Sequence, residues 1–178
     1  MGLRQSWSAA PQAPESFGEL CEGERLIIWA ARRWLLGLHE NSAEHWDLVW
    51  NAFAGQFGAR DGKAALSGLA LLLRERLHTG RRPLHCHRPC CGLLSADEMC
   101  VVGLIGACQR GDWPMARALG EWMARPEGMG GLIEAGSRLA AVLHRHALEL
   151  PKRSGAQTPE PSVPDQVTPE NNEAMTIH

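Results

Sequence analysis

No stretch of this sequence reaches the roughly 18 consecutive apolar residues that a helical membrane span requires. The most apolar run, Leu26 to Leu38, is interrupted by Arg32 and Arg33 and reads as a core helix. The first 20 residues lack the apolar segment of a secretory signal. An excess of positive charge is missing too. The 178 residues carry 18 Lys plus Arg against 20 Asp plus Glu, for a net charge of −2. Proteins that bind mainly through phosphate backbones need a basic excess, so nucleic acid is disfavoured as a partner. No nucleophile–base–acid arrangement can be assembled, because Ser67, Ser95 and Ser137 have no placed partner. Nothing in the residues calls for an enzyme.

What is present is ordinary globular composition, with 44% hydrophobic and 21% charged residues. A folded region of about 130 residues buries a single adequate core without staples. Helical periodicity is the main signal. Ile27, Ala30, Ala31, Trp34, Leu35 and Leu38 recur at helical spacing over residues 19–38. A second helix starts at Ser42, carries Trp46, Val49, Trp50 and Phe53, and stops around residues 55–58. The Trp residues of these two helices read as core rather than as pocket lining. A third helix runs from Asp61 to His78 on Leu66, Leu69, Ala70, Leu73 and Leu77, with Gly80 as a stop signal. Ser95-Ala96-Asp97-Glu98 has the form of a capping box for a fourth. Asp112 caps a fifth, with Pro114 in its first turn, and the glycines of residues 128–131 form a turn before a sixth from Leu132 to Leu143. The expected fold is all-α, an irregular bundle of about six helices over residues 19–150. A loose leader over residues 1–18 precedes it. Residues 151–178, rich in Pro, Gln, Ser, Thr and Glu, read as a disordered tail.

Gly111-Asp112-x-x-x-Ala116 resembles the inter-helix turn of tetratricopeptide repeats. Only this piece matches, and no second copy occurs at the repeat period. The resemblance implies a helical hairpin and no repeat array.

The segment that breaks the helical pattern is Pro83-Leu84-His85-Cys86-His87-Arg88-Pro89-Cys90-Cys91-Gly92. Five of the seven residues from His85 to Cys91 are metal-ligating types, and thiolates with imidazoles suit zinc. Arg88 precedes a proline and is biased toward extended backbone. An extended His85–His87 would put both imidazoles on one side and Cys86 on the other. His87-x-x-Cys90 has the spacing of a zinc knuckle. The candidate ligands are therefore His85, His87, Cys90 and Cys91, with Cys86 in reserve. The sequence has six cysteines, and the clustering of three of them within this segment is unlike a secreted disulfide framework. A reducing, cytoplasmic setting is expected. The alternative reading is a redox-responsive thiol protein using Cys86, Cys90 and Cys91. A third is a plain interaction module whose cysteines are small hydrophobes. Arg81, Arg82 and Arg88 form a local basic patch that suits an anion or an acidic partner. Together these features point to a small helical binding or adaptor protein with a protein partner, and a zinc site at residues 85–91 as its sharpest feature.

Overall fold

The computed structural model describes residues 16–153 and 174–177. Residues 1–15 of the expected leader (1–18) and residues 154–173 and 178 of the expected tail (151–178) lie outside the described residues.

Helix α1 spans Glu22–Glu40 and buries Ile27, Ile28, Ala31 and Leu35, which lie three and four apart on one face. The chain leaves it at Asn41, whose left-handed backbone (φ 50°) turns its N–H onto the Gly37 carbonyl. Helix α2 spans Ala43–Thr79 and contains both the second and the third expected helix. They join at Gly58, the one non-helical residue inside, with φ 74°. Glycine adopts that backbone without a steric cost, so the chain kinks there and needs no loop. Asp61, expected to start the third helix, instead lies inside α2 and pairs with Arg145 and His146. The described chain therefore holds five α-helices rather than about six, and it remains mostly helical.

The capping box forms as the sequence predicts and opens α3, Ala96–Arg110, with the Glu98 N–H on Ser95 Oγ at 3.1 Å. Gly111 (φ 69°) closes α3, and Asp112 accepts from the Met115 N–H to open α4, Trp113–Met123. This is the helical hairpin that the short resemblance implied. Helix α5 spans Pro126–Arg145, so the glycines expected to form a turn lie inside it. Their role is close approach. A Cβ on Gly128 would fall onto the Thr79 side chain, and one on Gly131 would meet the Glu75 carboxylate at 3.0 Å. Small residues there let α5 lie flat along α2, the most extensive helix pairing in the molecule. Phe53, Leu69, Leu104, Leu132 and Leu139 meet in the core with no exposed surface. Among the described residues no helix is long and apolar enough to cross a membrane.

Two strands depart from the all-helical expectation. Strand β1, Leu84–His87, pairs antiparallel with β2, Ala174–Ile177, with Cys86 opposite Met175 and Leu84 opposite Ile177. Four residues of the expected tail are thus part of a sheet. The end of the expected leader is also tied down. Ser16 bridges Leu93, and the Phe17 N–H reaches the Gly92 carbonyl at 2.8 Å.

Candidate functional site

The connection between α2 and α3 carries the histidines and cysteines, and two buried arginines hold it. Arg32 of α1 is fully buried. It grips Glu98 with both sides of its fork, Nε to Oε1 at 2.7 Å and Nη2 to Oε2 at 3.1 Å. Its remaining donors reach the carbonyls of Cys91 (2.6 Å), Leu93 (2.6 Å) and Arg88 (3.3 Å). One guanidinium therefore fastens α3 and gathers the loop over residues 88–93. Arg76 of α2 does the corresponding work at the other end. It donates to the carbonyls of Arg82 (2.9 Å) and Pro83 (3.5 Å) and to Asp97 Oδ1 (3.3 Å). Asp97 also takes both oxygens' worth of contact from Arg82 Nη1, at 2.8 and 3.0 Å. Arg82 in turn lies over the Trp122 ring, 3.9 Å from its centroid.

The two consecutive carboxylates also line one edge of β1. The His85 N–H donates to Asp97 Oδ2 at 2.9 Å, and the His87 N–H donates to Glu98 Oε1 at 3.0 Å. Ser95 Oγ donates to the His85 carbonyl at 2.8 Å. Since His85 and His87 turn their backbone groups toward α3, those of Leu84 and Cys86 face β2. Burial by itself would raise the Glu98 carboxyl, but the bonds from Arg32, Ser95 and His87 outweigh it and hold it below the usual carboxylate range.

The predicted ligands do not share one place. The segment is extended as expected, but its residues differ in burial: Cys86 lies in the core with Leu84, His85 is exposed, and His87 is buried. Cys90 is exposed and Cys91 half-buried. Among the described residues no three His, Cys, Asp or Glu side chains converge as a metal seat. Burial pushes the Cys86 thiol far above its usual range, and the adjoining Glu98 carboxylate adds to that. As a candidate redox thiol, Cys86 is therefore held protonated, 3.2 Å from Glu98 Oε1. Cys100 behaves alike, pushed up to about 12 by burial. His87 Nδ1 is buried without a hydrogen-bond partner among the described residues.

Of the predicted basic patch, Arg81 and Arg82 line a cavity of about 260 Å³ together with Arg76 and Arg125. Arg88 does not line it and stands exposed on the loop that Arg32 holds. A groove of about 640 Å³ runs between α1 and the second half of α2, lined by Trp34, Leu38, Leu71 and Leu77 with Arg74 and His78.

No family model, no curated protein and no solved structure matches this chain. The site therefore rests on its own geometry.

Sequence reasoning passed over Arg32, Arg76, Asp97 and Glu98. A signal was available. Arg32 lies four after Ile28 and three before Leu35, and Arg76 lies three after Leu73. An arginine at a core position of an apolar stripe must be buried with a partner or break the packing. The partner pair, Asp97-Glu98, stood in the capping box read only as a helix start.

Proposed function

We propose that this chain is a helical binding module that takes an extended peptide of a partner protein along β1. One observation carries the reading. β1 is fixed on one edge by the side chains of Ser95, Asp97 and Glu98, and its other edge already holds a strand from a segment distant in sequence. Strand addition to an exposed edge is a recurring way of recognising peptides: backbone bonds supply affinity and alternate side chains supply selectivity. The buried arginines support this reading. Burying ion pairs is costly and often no better for stability than apolar packing, so such pairs fit a demand for one fixed backbone shape. β2 then acts as an internal occupant. Twenty residues separate Arg153 from Ala174. A connection of that length makes the pairing intramolecular, with an effective concentration of order millimolar, so a longer matching partner strand would displace it.

The test uses the full chain with Met175→Pro, which removes the backbone donor opposite Cys86. Amide exchange at Leu84 and Cys86 should accelerate. A synthetic peptide of residues 171–178 should then bind the variant more tightly than the wild type. Unchanged exchange at both amides, or equal peptide binding by the two proteins, would refute the reading.

A zinc-organised surface is the second reading, favoured only by the unpartnered Nδ1 of His87. Native mass spectrometry of the full chain decides it: one zinc per chain, lost in Cys90→Ser/Cys91→Ser, supports it, and apo protein that takes up no added zinc removes it.

A further inference from the structure

The cavity where α2 ends against the α4–α5 junction adjoins the start of β1, since Pro83 and Leu84 also line it. Its frame is backbone: Gly80 bridges Ala124, and the Arg125 N–H reaches the Thr79 carbonyl at 2.8 Å. Onto this frame the sequence brings four guanidinium groups. Arg76 forms part of the wall and is 1% exposed, and its Nε has no hydrogen-bond partner among the described residues. Arg81 uses its Nε on the carbonyls of Glu121 (2.8 Å) and Ala124 (3.0 Å), which leaves its two terminal nitrogens without partners among the described residues. Arg82 commits Nη1 to Asp97. Arg125 is exposed, and its side chain has no ion pair or hydrogen bond among the described residues.

The charges do not balance. Among the described residues, Asp97 is the one carboxylate bonded to this group of four, and it serves Arg76 and Arg82 only. Burial presses the Arg76 cation toward its neutral form, and the nearby Arg82 charge adds to that pressure against the pull of Asp97. An anion in the cavity would relieve both by placing negative charge beside the guanidinium groups.

We infer that the cavity bounded by Arg76, Arg81, Arg82 and Arg125 is a binding site for a phosphoryl oxyanion. Planar guanidinium forks match phosphate oxygens in pairs. A multiply charged anion also fits an excess of several cations better than a single carboxylate does. At about 260 Å³ the cavity falls below the usual range for organic cofactors, so it suits phosphate or pyrophosphate, free or as the end group of a larger molecule projecting outward.

Isothermal titration of the full chain with pyrophosphate at low salt tests this. Saturable one-site binding is expected, weakened about tenfold or more in Arg125→Gln, as loss of a charged hydrogen-bond donor implies. The Arg125 side chain is exposed and without partners among the described residues, so this variant should fold normally. Arg138→Gln, which alters an exposed arginine paired with Glu134 and with nothing else among the described residues, should bind like the wild type. Comparing inorganic phosphate with glycerol phosphate separates the two sources: tighter binding of the ester marks a terminal phosphoryl group, and equal or weaker binding marks the free ion. Absence of saturable binding at millimolar pyrophosphate, equal loss in Arg138→Gln, or citrate binding as tightly as pyrophosphate would overturn the inference.

Discussion

At the residue scale, Arg32 is the side chain on which most depends. It neutralises Glu98, which is itself 4% exposed, and it satisfies three loop carbonyls. Removing one partner of a buried pair leaves the other charge without compensation and typically costs about 3–5 kcal/mol. Arg32→Met should therefore lower unfolding free energy by about that amount in urea titrations. Arg32→Met with Glu98→Gln should recover part of it, since the glutamine keeps the cap without the charge. A single variant within about 0.5 kcal/mol of the wild type would mean that the pair is solvated rather than buried.

Among the elements, the α2–α5 contact is set by glycines that were legible as glycines but misassigned as a turn. Pattern reading placed the helix start at Leu132 because residues 128–131 look like a breaker. The chain instead begins α5 at Pro126, where proline lacks only a donor that the first turn leaves unused. Gly128 and Gly130 make a matched pair for testing this. A methyl on Gly128 collides with Thr79, whereas one on Gly130 meets nothing within 4 Å. Gly130→Ala should raise stability by about 0.8–1 kcal/mol through helix propensity. Gly128→Ala should gain the same propensity yet lose about 1–3 kcal/mol to overpacking, for a net fall in melting temperature. Equal shifts in the two variants would show that α5 does not lie so close to α2. The Ser95–Glu98 capping box, by contrast, was readable from the residues, because it depends on contacts within one turn.

For the whole molecule, carboxylates that fasten one element to another set the response to acid. Glu98 joins α3 to α1, and Glu24, buried but bound by Arg153 strongly enough to offset that burial, joins α1 to the segment after α5. Asp61 joins α2 to the end of α5 and is held at about 2 by bonds from Arg145 and His146. All three lie below their ordinary values in the folded state. A depressed carboxylate contributes stability that is fully present above its unfolded value and lost as pH falls through the folded one. For Glu24 and Glu98 the loss should thus begin near their ordinary value of 4.5 and continue below it. Urea midpoints measured from neutral pH downward should decline from there, and more gently in Glu24→Gln. A decline of the same steepness in that variant would remove Glu24 from the account.

The sequence by itself determined the helical class, most helix ends and much of the core stripes, exposed Leu38 and half-buried Trp34, Trp46 and Trp50 excepted, because these follow from periodicity and from capping contacts a few residues apart. It also marked the connection over residues 81–94 as the segment that breaks the pattern. Only the tertiary structure decided that Cys86 faces the core, that Arg32 and Arg76 organise the connection, and that Arg125 joins Arg81 and Arg82 around one cavity. Each of those outcomes depends on groups brought together from distant helices. A local pattern carries no information about which buried charge will find which partner, and the cost of leaving one unpaired is what fixes the arrangement once the helices pack.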